Sequence, residues 1–204
     1  MNKKTQFDNI EKYYNHLVTK HGDSPRSCDY GRPESQRTKF EVLSGVLSRN
    51  DRTLLDVGCG LGDYYQFLLK KNYKLDYFGM DLSGSMVALA REKYEGIHVV
   101  QKNIIELDES IKYDVISANG IFYLLQDNPE KTMKALISKM YLLATRSIAF
   151  NSLSSFCQDQ EKEEFYANPV EVMRFCMSLT PWVRLCHDYH HRDFTVYMFK
   201  DLRI

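Results

Sequence analysis

The sequence lacks paired cysteines and long apolar runs. Its five cysteines include no C-x-x-C pair, and an odd number of them suits neither a disulfide framework nor a zinc ribbon. The sequence contains no stretch of about 20 apolar residues, the length that would predict a membrane span. The charged first residues, MNKKTQFDNIEKYYNH, contain no apolar segment typical of a signal peptide. We therefore expect a cytoplasmic protein in a reducing compartment.

An excess of either charge is also missing, because 27 Lys and Arg balance 27 Asp and Glu. Proteins that bind nucleic acids usually carry a basic excess or a basic stripe. The composition therefore disfavours nucleic acid as a partner and favours a small-molecule substrate. The 204 residues suffice for one well-buried domain, which we expect to be a monomer or a homodimer.

What the sequence does contain is an alternation of short apolar runs and amphipathic segments. Runs such as TLLDV, LDYFGMD and YDVISANG predict strands, and the segments between them have helical spacing. This pattern predicts an α/β fold with a Rossmann-like, doubly wound, mostly parallel seven-stranded sheet. The last two strands, in WVRLCHDY and DFTVYMFK, are joined by a short turn and predict an antiparallel hairpin. Asn128 is expected to cap the long helix that follows it.

The first strand ends in LLDVGCGLGD, a glycine-rich loop. A P-loop would need a lysine after its last glycine, and a dinucleotide fingerprint would need a third glycine where Asp63 stands. The actual spacing is G-x-G-x-G, at Gly58, Gly60 and Gly62. The carboxylates of Asp56 and Asp63 bracket the loop, so they would repel a pyrophosphate and attract an ammonium or a sulfonium.

An acid follows the second strand about twenty residues beyond the loop. Asp81 at this position can accept hydrogen bonds from both hydroxyls of a ribose. Sites for NAD and for S-adenosylmethionine share this feature, so it predicts an adenosine-containing ligand without choosing between them. Asn103 follows the third strand, where its amide can both donate to and accept from an adenine edge.

Four segments together resemble the class I S-adenosylmethionine-dependent methyltransferases: LLDVGCGLGD, FGMDLSGSMVALAREK, VVQKNIIEL and YDVISANGIFYLL. The resemblance implies S-adenosylmethionine as cofactor, with Asp56 ordering the loop and the methionyl end and Asp81 holding the ribose. Leu82 and Met86 would pack near the adenine. Asn103 departs from the family, which often has Asp there. The other cofactor-binding candidates are Gly58, Cys59, Gly60, Gly62, Ile104 and Asn119.

The same resemblance implies a lid. N-terminal helices close over the cofactor in many small-molecule methyltransferases, so residues 1–32 are expected to form a lid helix with its connecting loop. Residues 33–204 then form the methyltransferase domain. Tyr14 would line the lid, and Arg37 would pair with the methionyl carboxylate, for which a planar guanidinium is suited. Four more segments resemble a group of short bacterial methyltransferases without an assigned acceptor: YGRPESQRTKFEVL, IAFNSLS, FYANPVEVMRF and HDYHHRDFTVYMFK.

The acceptor is expected at the same edge of the sheet, where three segments follow the ends of strands. These are the residues after the fourth strand, the end of the fifth strand and the turn HDYHHRD. A histidine there is an attractive base. No zinc spacing is present in this turn, so we expect no metal. The candidate catalytic residues are Tyr123, Asn151, His187, Asp188 and Tyr189.

The expected function is in-line methyl transfer to the oxygen, nitrogen or carboxylate of a small molecule. The family comparison disfavours nucleobase acceptors, because the fourth strand ends in ANGIFY without a Pro-Pro pair and the sequence has no Pro-Cys dipeptide. Three alternatives remain open. They are a methyltransferase acting on protein or RNA, a non-catalytic protein that binds S-adenosylmethionine, and an NAD-linked oxidoreductase.

Overall fold

A computed structural model describes residues 3–202. Within this range seven strands form one sheet, and helices precede it and connect its strands. The strands are β1 Thr53–Val57, β2 Asp76–Asp81, β3 His98–Gln101, β4 Tyr113–Ala118, β5 Ala144–Leu153, β6 Val183–Cys186 and β7 Asp193–Phe199. The α-helices are α1 Lys3–His21, α2 Pro33–Ser44, α3 Asp63–Lys70, α4 Gly84–Lys93, α5 Pro129–Leu143 and α6 Pro169–Met177.

The strand order is β3-β2-β1-β4-β5-β7-β6. Strands β1 to β5 pair in parallel, whereas β7 is antiparallel to both β5 and β6. The predicted α/β fold with its C-terminal hairpin is therefore confirmed. The chain proceeds outward from β1 to β3 and then returns to β4, so the strand order reverses between β1 and β4. Since β6 is parallel to β1, the turn between β6 and β7 lies at the carboxyl edge of the sheet.

The two faces of the sheet are buried under different helices. Leu54 faces a cluster that includes Phe40 of α2 and Leu68 of α3, while the next residue, Leu55, faces a cluster that includes Leu136 of α5. This is the alternation expected of consecutive residues in a strand. Helices on both faces leave the edges at the strand ends open, and the loops there can form a site.

Two asparagines precede helices that begin with proline, but they behave differently. The Asn168 side chain accepts hydrogen bonds from the backbone of Val170 at 2.9 Å and of Glu171 at 3.3 Å, and so caps α6. Asn128 has a left-handed backbone with φ of 49° and makes no side-chain cap. Its amide instead donates to Asp127. The predicted cap at Asn128 is therefore wrong, because an N-cap side chain needs an extended backbone to reach the first turn.

Helix α1 is the longest helix in the described range, and it lies against the sheet rather than apart from it. Phe7 and Ile10 pack on the core cluster of α5. The side chain of Asn15 accepts hydrogen bonds from the Ser83 hydroxyl at 2.7 Å and from the Ser85 backbone at 3.3 Å. Across residues 3–202, no helix combines the length and the apolar character needed to cross a membrane.

Candidate active site

A cavity of about 280 Å³ lies at the carboxyl edge of the sheet, between the ends of β1 and β4. Ligands of open α/β folds bind at this point, where the strand order reverses. One wall, here called the glycine-loop side, comprises residues 56–60, 63, 64, 80–82, 86 and 102–104. The other wall, the lid side, comprises residues 7, 10, 14, 28–31, 35, 36, 39, 40, 119–124, 136, 151–153, 164, 190, 192 and 193.

The glycine loop has the backbone that its sequence requires. Gly58 and Gly60 have φ values of 74° and 53°, in the left-handed region that favours glycine. A Cβ atom on Gly58 would lie 2.5 Å from a methyl group of Ile121, and one on Gly60 would lie 2.9 Å from the sulfur of Cys28. The loop can therefore press its bare backbone toward the cavity only while glycine occupies these positions.

Asp81 connects the second strand to this loop. One carboxylate oxygen accepts the backbone N–H of Gly60 at 2.9 Å, and the other accepts that of Ser83 at 2.9 Å. Burial raises the pKa of the Asp81 carboxyl, although both backbone donors oppose this rise. Each carboxylate oxygen has two lone pairs, so both retain capacity for a further donor from the cavity. A ribose with two adjacent hydroxyls fits that remaining capacity.

Asp56 lies on the same wall, but its hydrogen bonds connect strands of the sheet. Its carboxylate accepts hydrogen bonds from the Tyr77 hydroxyl at 2.7 Å and from the Ser117 hydroxyl at 3.3 Å. Burial raises the pKa of Asp56 to about 7, and both hydroxyl donors limit the rise. The carboxyl thus ties β1 to its neighbours β2 and β4 directly beneath the loop.

Two asparagines emerge side by side on the lid side of the cavity. Ala118 of β4 pairs with Phe150 of β5, so Asn119, just past the end of β4, lies beside Asn151, which is still within β5. The Asn151 amide donates to Asn119 at 2.6 Å and accepts the backbone N–H of Gly120 at 2.7 Å. Asn119 in turn donates to the hydroxyl of Tyr30 at 2.7 Å. This chain of bonds fixes the strand ends to the segment that follows α1.

A group of tyrosines around Asp29 fastens α1 over the cavity. Tyr13 and Tyr123 both donate to Asp29 at 2.8 Å. Because Tyr123 has used its proton, Tyr14 is the donor in its 2.9 Å bond with Tyr123. Burial, together with Tyr14 and Asp29, raises the pKa of Tyr123 above its usual range. Tyr123 is therefore suited to donate a hydrogen bond rather than to act as a base.

Two ion pairs complete the lid side. Asp193, with 4% of its side chain exposed, lies 3.0 Å from the ammonium of Lys39 and 2.6 Å from Nδ1 of His190. Burial raises the pKa of Asp193, but His190 and Lys39 outweigh burial and hold that pKa below its usual range. Arg192 pairs with Glu164 and also donates to the hydroxyl of Tyr166. The lid side is thus lined by polar and charged side chains that pair with one another.

The structure brings most of the predicted residues to the cavity. Arg37 and Gly62 are the cofactor-binding candidates that lie off its wall. The predicted residues on the wall are Tyr14, Asp56, Gly58, Cys59, Gly60, Asp81, Leu82, Met86, Asn103, Ile104 and Asn119, with Tyr123 and Asn151 from the catalytic set.

Four predicted placements need correction. The Arg37 side chain is 71% exposed and pairs with Glu41 one turn along α2, so it faces away from the cavity. His187 and Asp188 are exposed. Tyr189 is turned back onto β7, where its hydroxyl bonds Thr195 at 2.8 Å. None of these four side chains lies on the cavity wall. Gly62, a fifth candidate off the wall, precedes α3 as its N-cap residue with φ of 77°.

Several residues that replace them on the wall were not predicted from the sequence. Lys39, Glu164, His190, Arg192 and Asp193 line the cavity. The turn HDYHHRD does reach the cavity, but through its later residues rather than its first three. Within residues 3–202 no group of three or more His, Cys, Asp or Glu side chains is arranged to hold a metal ion.

The fold and the site define a Rossmann-like protein whose cavity lies at a glycine-rich loop without a phosphate-binding fingerprint. Comparison with known proteins agrees with this class. A family model described as a methyltransferase domain matches residues 55–145. The chain is therefore similar to methyltransferases in sequence and in fold.

Three similar proteins illustrate how far the likeness extends. A Mycobacterium tuberculosis protein named as a methyltransferase is 28% identical over 71% of this chain and 91% of its own length. A trans-aconitate 2-methyltransferase of Acidovorax ebreus is 36% identical, but the match spans only 45% of this chain and 36% of that enzyme. The crystal structure of magnesium protoporphyrin IX methyltransferase from Synechocystis PCC 6803 with bound SAH has a TM-score of 0.72 and 14% identity, covering 98% of this chain and 100% of that one.

Proposed function

We propose that the protein transfers the methyl group of S-adenosylmethionine to a small-molecule acceptor held on the lid side of the cavity. The observation that carries this proposal is the division of one cavity into two chemically different walls. The glycine-loop side offers bare backbone and the Asp81 carboxylate, whereas the lid side offers hydroxyl, amide and charged side chains. A donor and an acceptor can therefore meet between them.

On the glycine-loop side we assign Asp81 to the ribose hydroxyls. Leu82, Met86, Asn103 and Ile104 lie on the same wall and form the surroundings of the adenine. The bound cofactor supplies a methyl group that is already activated on a sulfonium. The protein's own contribution is then mainly orientation, which can lower the barrier of an in-line displacement substantially.

On the lid side we assign residues 1–32 as a lid and residues 33–204 as the methyltransferase domain. The bonds of Tyr14 and Tyr123 around Asp29 close the cavity from outside. A partly covered cavity of about 280 Å³ favours a small acceptor over a protein or an RNA chain. A cytoplasmic location and a monomeric or homodimeric state belong to the same proposal.

The proposal is tested by labelling. The purified protein is incubated with S-adenosylmethionine carrying a labelled methyl group and with a bacterial cell extract, which is then separated into small molecules, protein and RNA. Label in the small-molecule fraction, absent without enzyme, supports the proposal. Label confined to protein or RNA contradicts it. Trans-aconitate is included as a single acceptor, because related enzymes are named for it.

A further inference from the structure

A chain of hydrogen bonds on the lid side of the cavity has a fixed direction, and that direction bears on the acceptor. We propose that Tyr30 binds the methyl acceptor by donating its hydroxyl proton, and that the acceptor group is a carboxylate, so that the product is a methyl ester. This assignment rests on the proposed function and adds to it an acceptor-binding residue and a class of substrate.

The backbone of Gly120 sets the direction of the chain. A backbone N–H can only donate, so the Asn151 atom that lies 2.7 Å from the Gly120 nitrogen is the side-chain oxygen. The NH2 group of Asn151 then faces Asn119 and donates to its oxygen at 2.6 Å. The NH2 group of Asn119 is thereby turned toward Tyr30 and donates to its hydroxyl at 2.7 Å. Reversing either amide would place two donors against each other.

The proton of the Tyr30 hydroxyl is left over by this chain. A phenol has one proton to donate, and the bond from Asn119 occupies only a lone pair. Within residues 3–202 that bond is the one hydrogen bond that the Tyr30 hydroxyl makes. The oxygen lies beside Gly120, where an added Cβ would be 3.9 Å from it, and both residues line the cavity. Burial raises the pKa of Tyr30 well above its usual range, so the group stays a donor.

His190 on the same wall is a donor as well. Its Nδ1 accepts the backbone N–H of Arg192 at 3.3 Å, which places the proton of the neutral ring on Nε2. Nε2 lies 3.3 Å from the hydroxyl of Ser35, to which it donates. The ring therefore offers no lone pair with which to take a proton from an acceptor.

The acids of the lid side are already paired. Asp29 accepts from two tyrosine hydroxyls, Glu164 pairs with Arg192, and Asp193 pairs with Lys39. The two ion pairs cancel in charge, so neither selects the charge of the acceptor. In the described part of this wall, an acceptor that must first lose a proton, such as a hydroxyl or an ammonium, finds no free base.

A carboxylate suits these conditions. It has no proton to lose, and it has two oxygens, so one can accept from Tyr30 while the other attacks the methyl group. A neutral amine has a single lone pair, which cannot do both. A hydrogen bond from a hydroxyl to an ionised oxygen is also stronger than one to a neutral group. The charge of the carboxylate is compensated by the nearby sulfonium of the cofactor.

The transfer balances without any movement of a proton. One carboxylate oxygen forms a bond to the methyl carbon, the methyl–sulfur bond breaks, and its electron pair stays on sulfur. The negative charge of the carboxylate and the positive charge of the sulfonium are both consumed. The products are a neutral ester group and a thioether.

The first test identifies the product in the labelled cell extract. Methyl esters release labelled methanol in mild base, whereas methyl ethers and methylamines do not. Label in base-labile esters supports the proposal, and label in ethers or methylamines overturns it. Transfer to no small molecule at all is instead a failure of the proposed function, and the second test then decides the present assignment.

The second test measures binding without turnover. The full chain, saturated with S-adenosylhomocysteine, is titrated by ligand-observed NMR with benzoate and hexanoate and with the matched alcohols and amines. We expect the acids to bind at least fivefold more tightly than their alcohols and amines, and this preference to fall below twofold in Tyr30→Phe. Equal or tighter binding of the alcohols or amines overturns the proposal, as does an acid preference that Tyr30→Phe leaves unchanged.

The third test separates acceptor binding from a structural role. Tyr30→Phe keeps the ring and removes the donor. With the labelled acceptor, KM should rise at least tenfold, as expected for a lost hydrogen bond to a charged group. The kcat and the Kd for S-adenosylhomocysteine should change less than threefold. Tyr65 of α3 packs on Tyr77 and Tyr94 and lies off the cavity wall, so Tyr65→Phe is the matched control, expected within twofold of the unaltered protein in all three quantities.

Two results of this comparison contradict the assignment. One is a KM in Tyr30→Phe that equals that of the control. The other is a rise in the Kd for S-adenosylhomocysteine as large as the rise in KM, because the hydroxyl would then support the cavity as a whole rather than the acceptor.

Discussion

The two sides of the cavity are constructed differently. The glycine-loop side comes largely from two strand ends that lie next to each other in the sheet, β1 and β2. The lid side is assembled from segments far apart in the sequence, joined by side-chain bonds such as those of Tyr123 to Asp29 and of Lys39 to Asp193. We therefore expect substitutions on the glycine-loop side to weaken ligand binding more strongly than substitutions on the lid side.

The largest effect is expected at Asp56, and it concerns stability. Its pKa in the folded protein is about 7, above the value of about 3.9 in an unfolded chain. The group therefore contributes most to stability below pH 4, and this contribution is lost as the pH rises toward 7. Between pH 4 and pH 8 the unaltered protein should lose free energy of unfolding as Asp56 ionises. At about 1.4 kcal/mol per pKa unit, the Asp56→Asn variant should lose less, by up to about 4 kcal/mol.

Urea unfolding at several pH values measures this difference. Asn can still accept from Tyr77, so the variant keeps the principal contact of Asp56. If the free energy of unfolding of Asp56→Asn changed with pH in parallel with that of the unaltered protein, the buried carboxyl would not titrate as described. The exposed Asp76 at the start of β2 provides the control, because Asp76→Asn should leave the pH dependence unchanged.

The next effect is on binding of S-adenosylhomocysteine. Asp81→Ala removes both the acceptor for Gly60 and the proposed acceptor for the ribose. The Kd measured by isothermal titration calorimetry should rise more than tenfold, or about 1.4 kcal/mol. Asp76→Ala, at the other end of the same strand, should bind as the unaltered protein does. Equal affinities of the two variants for S-adenosylhomocysteine would show that Asp81 does not contribute to the binding site.

A smaller effect is expected from Gly60→Ala. An alanine with a left-handed backbone costs about 1 to 2 kcal/mol, and its Cβ would approach the sulfur of Cys28. The Kd for S-adenosylhomocysteine should rise about fivefold to tenfold. Gly96 also has a positive φ, of 76°, but a Cβ added there would meet no atom within 4 Å. Gly96→Ala should lower stability without changing the Kd. An equal rise in Kd for Gly60→Ala and Gly96→Ala would mean that the loss of affinity does not arise at the glycine loop.

The smallest effect is expected on the lid side. Asp29→Ala removes the acceptor that Tyr13 and Tyr123 share. Asp29 is exposed, so both hydrogen bonds lie at the surface. Bonds to a charged group are worth a few kcal/mol at most, and α1 keeps its apolar contacts. The Kd should therefore rise only twofold to fivefold, mainly through faster dissociation measured by stopped flow. Glu95→Ala, an exposed acid outside the cavity, is the control. A loss as large as that of Asp81→Ala would contradict the contrast between the two sides.

The same contrast explains what could be predicted from the sequence. Gly58, Gly60 and Asp81 follow strands at fixed spacing, and their chemistry is tied to that spacing, so their place at the cavity was predictable. Arg37 was misplaced although the information was present. Gln36, Phe40, Leu43 and Ser44 are the buried positions of α2, and a residue next to Gln36 points about 100° away around the helix.

The turn before β7 could not be resolved in this way. A strand alternates and a helix repeats, but a turn has no period that assigns a side chain to a face. His187 and His190 are therefore equivalent in the sequence, and the contact of His190 with Asp193 distinguishes them only in the folded chain. Asp29 and Glu164 have no motif at all, because their roles depend on partners that are distant in sequence.

The central claim is that the cavity beside the glycine loop binds an adenosine with a sulfur-linked tail rather than a dinucleotide. Calorimetric titration of the unaltered protein with S-adenosylhomocysteine and, separately, with NAD tests it most directly. We predict saturable binding of S-adenosylhomocysteine at one site per chain and no measurable heat from NAD. Binding of NAD without binding of S-adenosylhomocysteine would contradict the account.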